Sequence, residues 1–319
     1  MKNWYIIYYL FVFLGTSFNG MGQTSIADLV MYEDTLKRTA VIVLNGKNDS
    51  VRIAANSQFH LLLNDALSLE KSFKYPFDSL TTIACLTSPD NSFRIFNWNL
   101  PKDDGSFNFF GIIQLNNGKK SISPLITLND RSNMISEPEY QVLDAKNWYG
   151  ALYYKIILKK SKGINYYTLL GWDGNDRFST KKIIDVLTFD EKMEPLFGSE
   201  IFNNYKENNF TRVIFEYSKL ASLSLKYETQ SYTKTIHKKN KTFSKMVSDE
   251  MIVFDHLEPL DPSFMQNYRY YIPVGDRYDA FIFENGSWIF IPDVHAKNPV
   301  SDKDTNRERP KELDLLPPK

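Results

Sequence analysis

Apolar and polar positions follow two different periods along this chain, helical at the start and strand-like afterwards. Across residues 25–72 the apolar residues recur at helical spacing, and Asn45 with Gly46 interrupts the pattern. Asp49 or Ser50 can cap the second half, so we predict two helices joined by a short turn. A proline shortly afterwards ends the helical pattern, since a helix interior does not accommodate proline.

After residue 78 the chain consists of short runs rich in aromatic and β-branched residues, separated by turn residues, which indicates antiparallel strands. The strongest hairpin signal is Asn285 followed by Gly286, between two alternating runs. Residues 179–189 fit either a short capped helix or a strand, and their content of Ile, Val and Thr favours the strand. We count about a dozen such runs, which favours two packed sheets or a closed arrangement over a single open sheet.

These patterns predict an α+β fold that is mostly β, with an N-terminal helical hairpin packed on a large antiparallel β-sheet domain, sandwich-like or partly closed. The predicted boundaries are residues 23–74 for the hairpin and 75–295 for the β domain. Residues 296–319 hold four prolines and many charges, so we expect a disordered or surface-bound tail. Residues 231–248 are rich in lysine with little apolar periodicity, and we predict a solvated basic loop there.

The first 22 residues have the order of a secretory signal peptide. Lys2 precedes an apolar run from Trp4 to Leu14, and small residues follow as far as Gly22. We predict cleavage before Gln23 and export to the periplasm, the outer membrane or the medium. An uncleaved anchor is the less favoured alternative, because the apolar run is shorter than the roughly 20 residues that a spanning helix needs. After cleavage we expect no stable membrane span.

Charge and cysteine content exclude some partners and some kinds of stabilisation. The chain contains 38 basic residues (Lys and Arg) and 38 acidic residues (Asp and Glu), so its formal charge is zero. No global electrostatic field therefore favours a nucleic-acid partner. Cys85 is the only cysteine, which excludes an intrachain disulfide. Motifs for a hydrolase elbow or a nucleotide cradle are absent from the sequence, and we predict no cofactor.

Histidines and clustered oxygen ligands give only weak support for a metal site. The four histidines, none in metal-ligand spacing, are His60, His237, His256 and His295. His256 is next to Asp255 in the sequence, which by itself does not indicate a site. We interpret the histidines as residues at strand ends whose hydrogen bonds are satisfied. Asp173, Asn175 and Asp176 in GWDGNDRF are candidate metal ligands, but the same residues suit a tight turn, which we favour.

Tryptophans are the candidate ligand-binding residues, because an exposed aromatic ring can stack on a sugar or anchor a peptide. The candidates are Trp98, Trp148 and Trp172. The alternative is that these rings belong to the core, as large aromatic residues in alternating strands usually do. The paired carboxylates of a hydrolase are defined by their separation in space, so the sequence cannot select them.

Several segments together resemble a group of exported proteins of Bacteroidetes bacteria. The resemblance covers residues 75–294 and the charged, Pro-rich end, and it is carried by SPDNSFRIFNW, NWYGALYYKII, YYTLLGWDGNDR, KKIIDVLTF, MIVFDHLEP and YDAFIFENGSWIFIPDV. Proteins of this group carry a leader whose cleavage site typically precedes Gln, in agreement with Gln23. The resemblance implies export and assigns no activity, ligand or catalytic residue.

The preferred functional hypothesis is a non-enzymatic envelope or secreted protein that binds a glycan, a peptide or an envelope partner protein. The alternative is a hydrolase that acts on an extracytoplasmic polymer with carboxylates from separate strands. A third hypothesis is a structural accessory subunit. A deep cleft with two carboxyl groups would favour the hydrolase, whereas an exposed aromatic patch would favour binding.

Overall fold

The computed structural model describes residues 26–118, 122–206, 210–238 and 241–294. The predicted signal peptide and the predicted tail lie outside these ranges. The described residues form two N-terminal helices followed by fifteen strands in three sheets. The predicted α+β fold, dominated by antiparallel strands, is therefore confirmed.

The N-terminal helices are α1, Ile26–Asn45, and α2, Asp49–Ser68, as the sequence predicted. Helix α2 is capped by Asn48, one residue before the predicted cap, and its side chain accepts a hydrogen bond from the Val51 N–H at 3.0 Å. The buried side chains of the two helices include Leu29, Leu36, Ala40, Phe59, Leu63 and Leu67. Among the described residues, no helix has the length and apolar character needed to cross a bilayer.

The first sheet has four antiparallel strands that follow one another along the chain. They are β1 (Ala84–Thr87), β2 (Phe93–Pro101), β3 (Phe107–Leu115) and β4 (Leu125–Asn129). Because side chains alternate across a strand, each face of this sheet contributes to a different core. Phe96 and Trp98 pack against the helices, whereas Phe93 and Ile95 face the second sheet.

The second sheet has six strands and forms the centre of the molecule. Its order is β5-β9-β8-β7-β6, and β11 also pairs with β8. The strands are β5 (Leu143–Asp144), β6 (Leu152–Ser161), β7 (Ile164–Asp173), β8 (Ser179–Phe189), β9 (Pro195–Phe197) and β11 (Val213–Ser218). The strand predicted for residues 179–189 is confirmed as β8.

The third sheet has the order β10-β15-β14-β13-β12, and only the β10 and β15 pair is parallel. Its strands are β10 (Phe202–Asn203), β12 (Leu225–Lys238), β13 (Lys241–Pro259), β14 (Tyr271–Glu284) and β15 (Ser287–Val294). The loop predicted for residues 231–248 is wrong, because residues 231–238 belong to β12 and residues 241–248 belong to β13. A two-stranded ribbon can expose both faces, so lysines at many positions do not exclude a strand.

The layers follow the order helices, first sheet, second sheet and third sheet. There are thus three sheets, where the sequence analysis expected two packed sheets or a closed arrangement. One core joins the first and second sheets and includes Ile113, Trp148 and Leu169. Another joins the second and third sheets and includes Ile184 and Trp288. Each inner sheet face is therefore covered by another layer.

A buried arginine joins the helical hairpin to the first sheet. Arg94 on β2 is only 3% exposed and donates hydrogen bonds to the carbonyl oxygens of Ser72 and Tyr75 at 2.7 and 2.6 Å. It also donates to Oε1 of Gln114 at 2.7 Å. Burial lowers the pKa of Arg94 to about 10. The segment that follows α2 is thus held to the sheet by polar contacts as well as by apolar packing.

A buried ion pair crosslinks the second sheet. Arg212 Nε lies 3.2 Å from Asp185 Oδ1, and both side chains are completely buried. Tyr153 donates its hydroxyl to the other oxygen of Asp185 at 3.1 Å. Arg212 also donates to the carbonyl oxygen of Phe197 at 2.9 Å. These partners satisfy charges that would otherwise be costly to bury.

Candidate functional site

The structure corrects the prediction that Trp98 and Trp148 bind a ligand, because the two side chains are 1% and 0% exposed. The Trp98 indole N–H donates to Oδ1 of Asn56 at 2.7 Å, and that of Trp148 donates to the Tyr153 hydroxyl at 3.0 Å. Trp172 is half-buried on β7, with its ring against Phe107. The three tryptophans therefore do not form a binding platform.

Asp173, Asn175 and Asp176 form the turn between β7 and β8. Asp173 accepts the Asn175 N–H at 2.7 Å, and Asn175 has a φ of +50°. Asp176 accepts the N–H groups of Phe178 and Ser179 at 2.7 and 2.8 Å. These carboxylates organise a tight turn, and burial raises the pKa of Asp173. In the part of the chain that the structure describes, no group of three His, Cys, Asp or Glu could hold a metal ion.

An open cleft of about 820 Å³ lies between helix α2 and the edge formed by β3 and β4, and we call it the α2–β4 cleft. Helix α2 contributes Asn56, Ser57, His60 and Leu61. Strands β3 and β4 contribute Asn108, Phe110, Thr127 and Asn129, and the next loop contributes Asp130, Arg131, Asn133 and Met134. The lining thus combines uncharged polar side chains with apolar ones, and apolar atoms make up most of its accessible surface.

Three asparagines give the α2–β4 cleft its hydrogen-bonding capacity. Asn108, Asn129 and Asn133 are exposed, and no hydrogen bond within the described residues engages their side chains. Each carboxamide can donate two hydrogen bonds and accept two. Asn56, by contrast, is buried and holds Trp98 beneath the cleft.

His60 adds a neutral imidazole to the same cleft. Burial lowers the pKa of His60 below its usual value of 6.5, so the ring is uncharged at neutral pH. Asn64 Nδ2 lies 3.3 Å from His60 Nδ1 and also donates to the His60 carbonyl oxygen at 3.0 Å. In this arrangement Nδ1 accepts and Nε2 carries the proton, which makes His60 a hydrogen-bond donor.

Asp130 is the one carboxylate among the described residues that line the α2–β4 cleft, and it has a structural task. Its Oδ2 accepts the Phe109 N–H at 2.9 Å. Its Oδ1 accepts the N–H and the hydroxyl of Ser132 at 3.0 and 2.6 Å. Both oxygens are therefore engaged in shaping the loop after β4, and the carboxylate pair of a hydrolase is not present in this lining.

A second, smaller pocket of about 270 Å³ lies on the third sheet beside β11, and we call it the His256 pocket. Its walls are aromatic and include Tyr205, Phe254, Tyr268, Tyr271 and Phe290. His256 Nδ1 lies 2.6 Å from Asp279 Oδ2, and His256 Nε2 lies 3.3 Å from Glu258 Oε1. The imidazole is thus held between two carboxylates at the edge of an apolar pocket.

Two β-bulges position this histidine and its partner. The register between β13 and β14 shifts at Asp255 and Leu257, so His256 lies outside the regular ladder. The register between β14 and β15 shifts near Asp279. Bulges redirect side chains and are common beside active sites. Here they bring a histidine and an aspartate from neighbouring strands into contact.

Carboxylates from three strands line the His256 pocket, namely Glu216 on β11, Asp255 on β13 and Asp279 on β14. Asp255 accepts the Ser224 N–H at 2.7 Å, and burial raises its pKa. The sequence places Asp255 beside His256, but the carboxylate that contacts the imidazole is Asp279. Adjacency along a strand does not reveal this partner, because neighbouring residues point to opposite faces.

Comparison with protein-family models, with curated proteins and with solved structures gave no match for this chain. Its function is therefore argued from its own side chains. The sequence analysis did not identify the cleft residues Asn108, Asn129 and Asn133. Single asparagines on a strand or in a loop carry no spacing signal, and only the approach of α2 to β4 brings them together.

Proposed function

We propose that this protein is exported and binds a glycan chain in the α2–β4 cleft without cleaving it. The observation that carries the proposal is the composition of the lining. Asn108, Asn129 and Asn133 present free carboxamides beside the neutral imidazole of His60, whereas the carboxylate of Asp130 is already engaged. The cleft thus offers many uncharged hydrogen-bonding groups and lacks an available pair of catalytic acids.

A glycan fits these groups because each sugar hydroxyl both donates and accepts, as a carboxamide does. Phe110, Leu61 and Met134 supply apolar surface for the C–H face of a sugar ring. The exposed guanidinium of Arg131 can pair with an occasional carboxylate on the chain. The cleft volume of about 820 Å³ lies within the usual range for ligand sites.

Export of this binding protein is supported by the order of residues 1–22, which is typical of a cleaved signal peptide. An exported protein meets envelope and extracellular polysaccharides. A protein with a single cysteine also does not need to form an intrachain disulfide bond after export.

The proposal is tested by calorimetric titration of the mature chain with a panel of neutral and acidic oligosaccharides. We expect saturable binding of a neutral member of the panel. Each of Asn108→Ala and Asn133→Ala removes hydrogen bonds to the sugar and should weaken binding about fivefold, since one such bond contributes ~1 kcal/mol. Asn203→Ala is the matched control, because Asn203 is an exposed asparagine on β10, outside the cleft.

Two outcomes would contradict glycan binding. The first is that no saccharide binds, or that the cleft variants bind as the wild type does. The second is that an extended peptide binds instead and is lost in the same variants. A peptide is the natural competitor, because β4 is a terminal strand of the first sheet and could pair with an added strand.

A second candidate function is hydrolysis of a polymer at the His256 pocket. It is favoured by the 2.6 Å contact between His256 Nδ1 and Asp279 Oδ2, since a carboxylate orients the imidazole of a general base. In this role Nε2 would accept a proton from water once Glu258 had turned away from it. Turnover of chromogenic ester and glycoside substrates is the measurement. His256→Gln should abolish any turnover and leave glycan binding unchanged. Equal turnover by His256→Gln and wild type would exclude this role.

A further inference from the structure

The hairpin of β12 and β13 extends beyond the rest of the third sheet. Strand β13 pairs with β12 from Lys241 to Phe254, but it pairs with β14 only from Met251 onward. Tyr232 and Val247 are the outermost residues of the hairpin that join the adjacent apolar cluster. The residues beyond them, 233–238 and 241–246, form what we call the β12–β13 arm. At ~3.4 Å per residue this arm is about 20 Å long.

The ladder of the arm places lysines directly opposite one another. Lys234 is the cross-strand partner of Lys245, and Lys238 is the partner of Lys241. Like charges at such positions destabilise a strand pair. From residue 229 to 248 the sequence contains no Asp or Glu. A two-stranded ribbon is only marginally stable by itself, so this charge arrangement opposes the folding of the arm.

Apolar side chains lie among these lysines. Period-two alternation puts Phe243 on the same face of β13 as Lys245, beside the cross-strand pair of Lys234 and Lys245. Phe243 is 44% exposed, and Met246 on the opposite face is 72% exposed. Lys234 forms an ion pair with Glu284 at the base of the arm, whereas Lys245 is exposed. The arm therefore presents positive charge and apolar surface together.

We propose that the β12–β13 arm docks the protein onto the surface of an anionic phospholipid bilayer. Lysines near such a surface each strengthen binding roughly fivefold, and an aromatic ring beside them can enter the headgroup region. Phosphate groups would also relieve the repulsion between the paired lysines. The exposed Phe243 and Met246 favour a bilayer over a nucleic acid or an acidic polysaccharide, because neither of those offers an apolar phase. This interaction is independent of the glycan cleft.

The test is co-sedimentation of the mature chain with vesicles of phosphatidylcholine alone and of phosphatidylcholine mixed with phosphatidylglycerol. We expect binding to the mixed vesicles only, weakening as salt is added. Lys245→Glu should lower this binding fivefold or more. The same change turns a repulsive cross-strand pair with Lys234 into an attractive one, so the melting temperature should stay the same or rise. Loss of binding with retained stability separates a docking role from a folding defect.

Lys37→Glu is the matched control, because Lys37 is an exposed lysine on α1, far from the arm in sequence. It should bind the mixed vesicles as the wild type does. Phe243→Ser should also weaken vesicle binding. Binding to a polyanion by charge alone would not depend on this aromatic ring. Equal binding of both vesicle types, wild-type binding by Lys245→Glu, or retention on DNA or heparin without retention on vesicles would overturn the proposal.

Discussion

The indole N–H of Trp98 donates to the side-chain oxygen of Asn56 at 2.7 Å, which joins β2 to α2 inside the core. Both side chains are buried, so each group depends on the other for its hydrogen bond. This bond fixes the floor of the α2–β4 cleft at the place where the sequence suggested a stacking surface. The tryptophan thus supports the site from below.

Replacing Trp98 with Phe should destabilise the fold by ~1–3 kcal/mol, because the Asn56 oxygen would remain buried without a donor. Urea denaturation measures the free energy of unfolding. The double variant Trp98→Phe/Asn56→Leu should recover part of the loss, since it removes the unsatisfied group. Trp172→Phe is the control, as this ring is half-buried. A double variant less stable than Trp98→Phe would contradict the role of this hydrogen bond.

Removal of the Asp185 carboxylate should be among the most damaging single changes. Asp185→Ala would leave the Arg212 guanidinium buried without its counter-ion, which costs about 3–5 kcal/mol. Thermal unfolding monitored by circular dichroism is the measurement. Lys102→Ala, which breaks an ion pair with the exposed Asp104, should have a much smaller effect. Similar losses in the two variants would mean that burial does not determine the importance of these pairs.

Stability should fall in mild acid because of His60. Its pKa is lowered in the folded protein by burial, so the unfolded chain binds a proton first as the pH drops through 6.5. The free energy of unfolding of the wild type should therefore decrease relative to that of His60→Gln between about pH 8 and about pH 5. Paired denaturation curves of the two proteins measure this difference. A difference that does not change with pH would show that His60 has the same pKa in both states.

Gly150 allows the loop after β4 to pack tightly against β3. A Cβ atom there would lie 2.6 Å from Cγ of Asp130 and 2.7 Å from Cβ of Phe109. Gly150→Ala should therefore cost about 1–3 kcal/mol and weaken glycan binding, since Asp130 holds the loop that carries Asn133. Gly118→Ala is the comparison, because no atom lies within 4 Å of its Cβ position and its cost comes from backbone strain at a φ of +60° rather than from a clash. Denaturation and titration of both variants provide the measurements.

Local signals in the sequence predicted most elements of the fold. The Asn285-Gly286 turn is present, with positive φ values of 52° and 90° that suit a two-residue hairpin. The sequence indicates only part of the orientation of α1. Ile26, Leu29 and Val30 lie in one apolar stripe, yet Leu29 is buried whereas Ile26 and Val30 are 63% and 47% exposed. A wide apolar stripe does not reveal which of its edges faces the core.

The candidate sites could not be predicted in the same way, because their residues come from separate elements. His256 meets Asp279 only after two bulges and a strand pairing, and neither event has a sequence signal. The lysines opposite one another in the β12–β13 arm depend on register, which a one-residue shift would change completely. The composition correctly identified residues 231–248 as basic, but it led us to predict a loop where the structure has two strands.

The first sheet is built from strands that follow one another along the chain, since every ladder of β1 to β4 joins consecutive strands between Ala84 and Asn129. A polypeptide that leaves a narrow channel with its N-terminus first would thus release the helices and this entire sheet before any later strand emerges. Early emergence of a complete unit shortens the time during which unpaired strand edges are exposed to other chains. Apart from β10, which precedes β11 of the second sheet, the order of layers from helices to third sheet matches the order in which the chain would arrive.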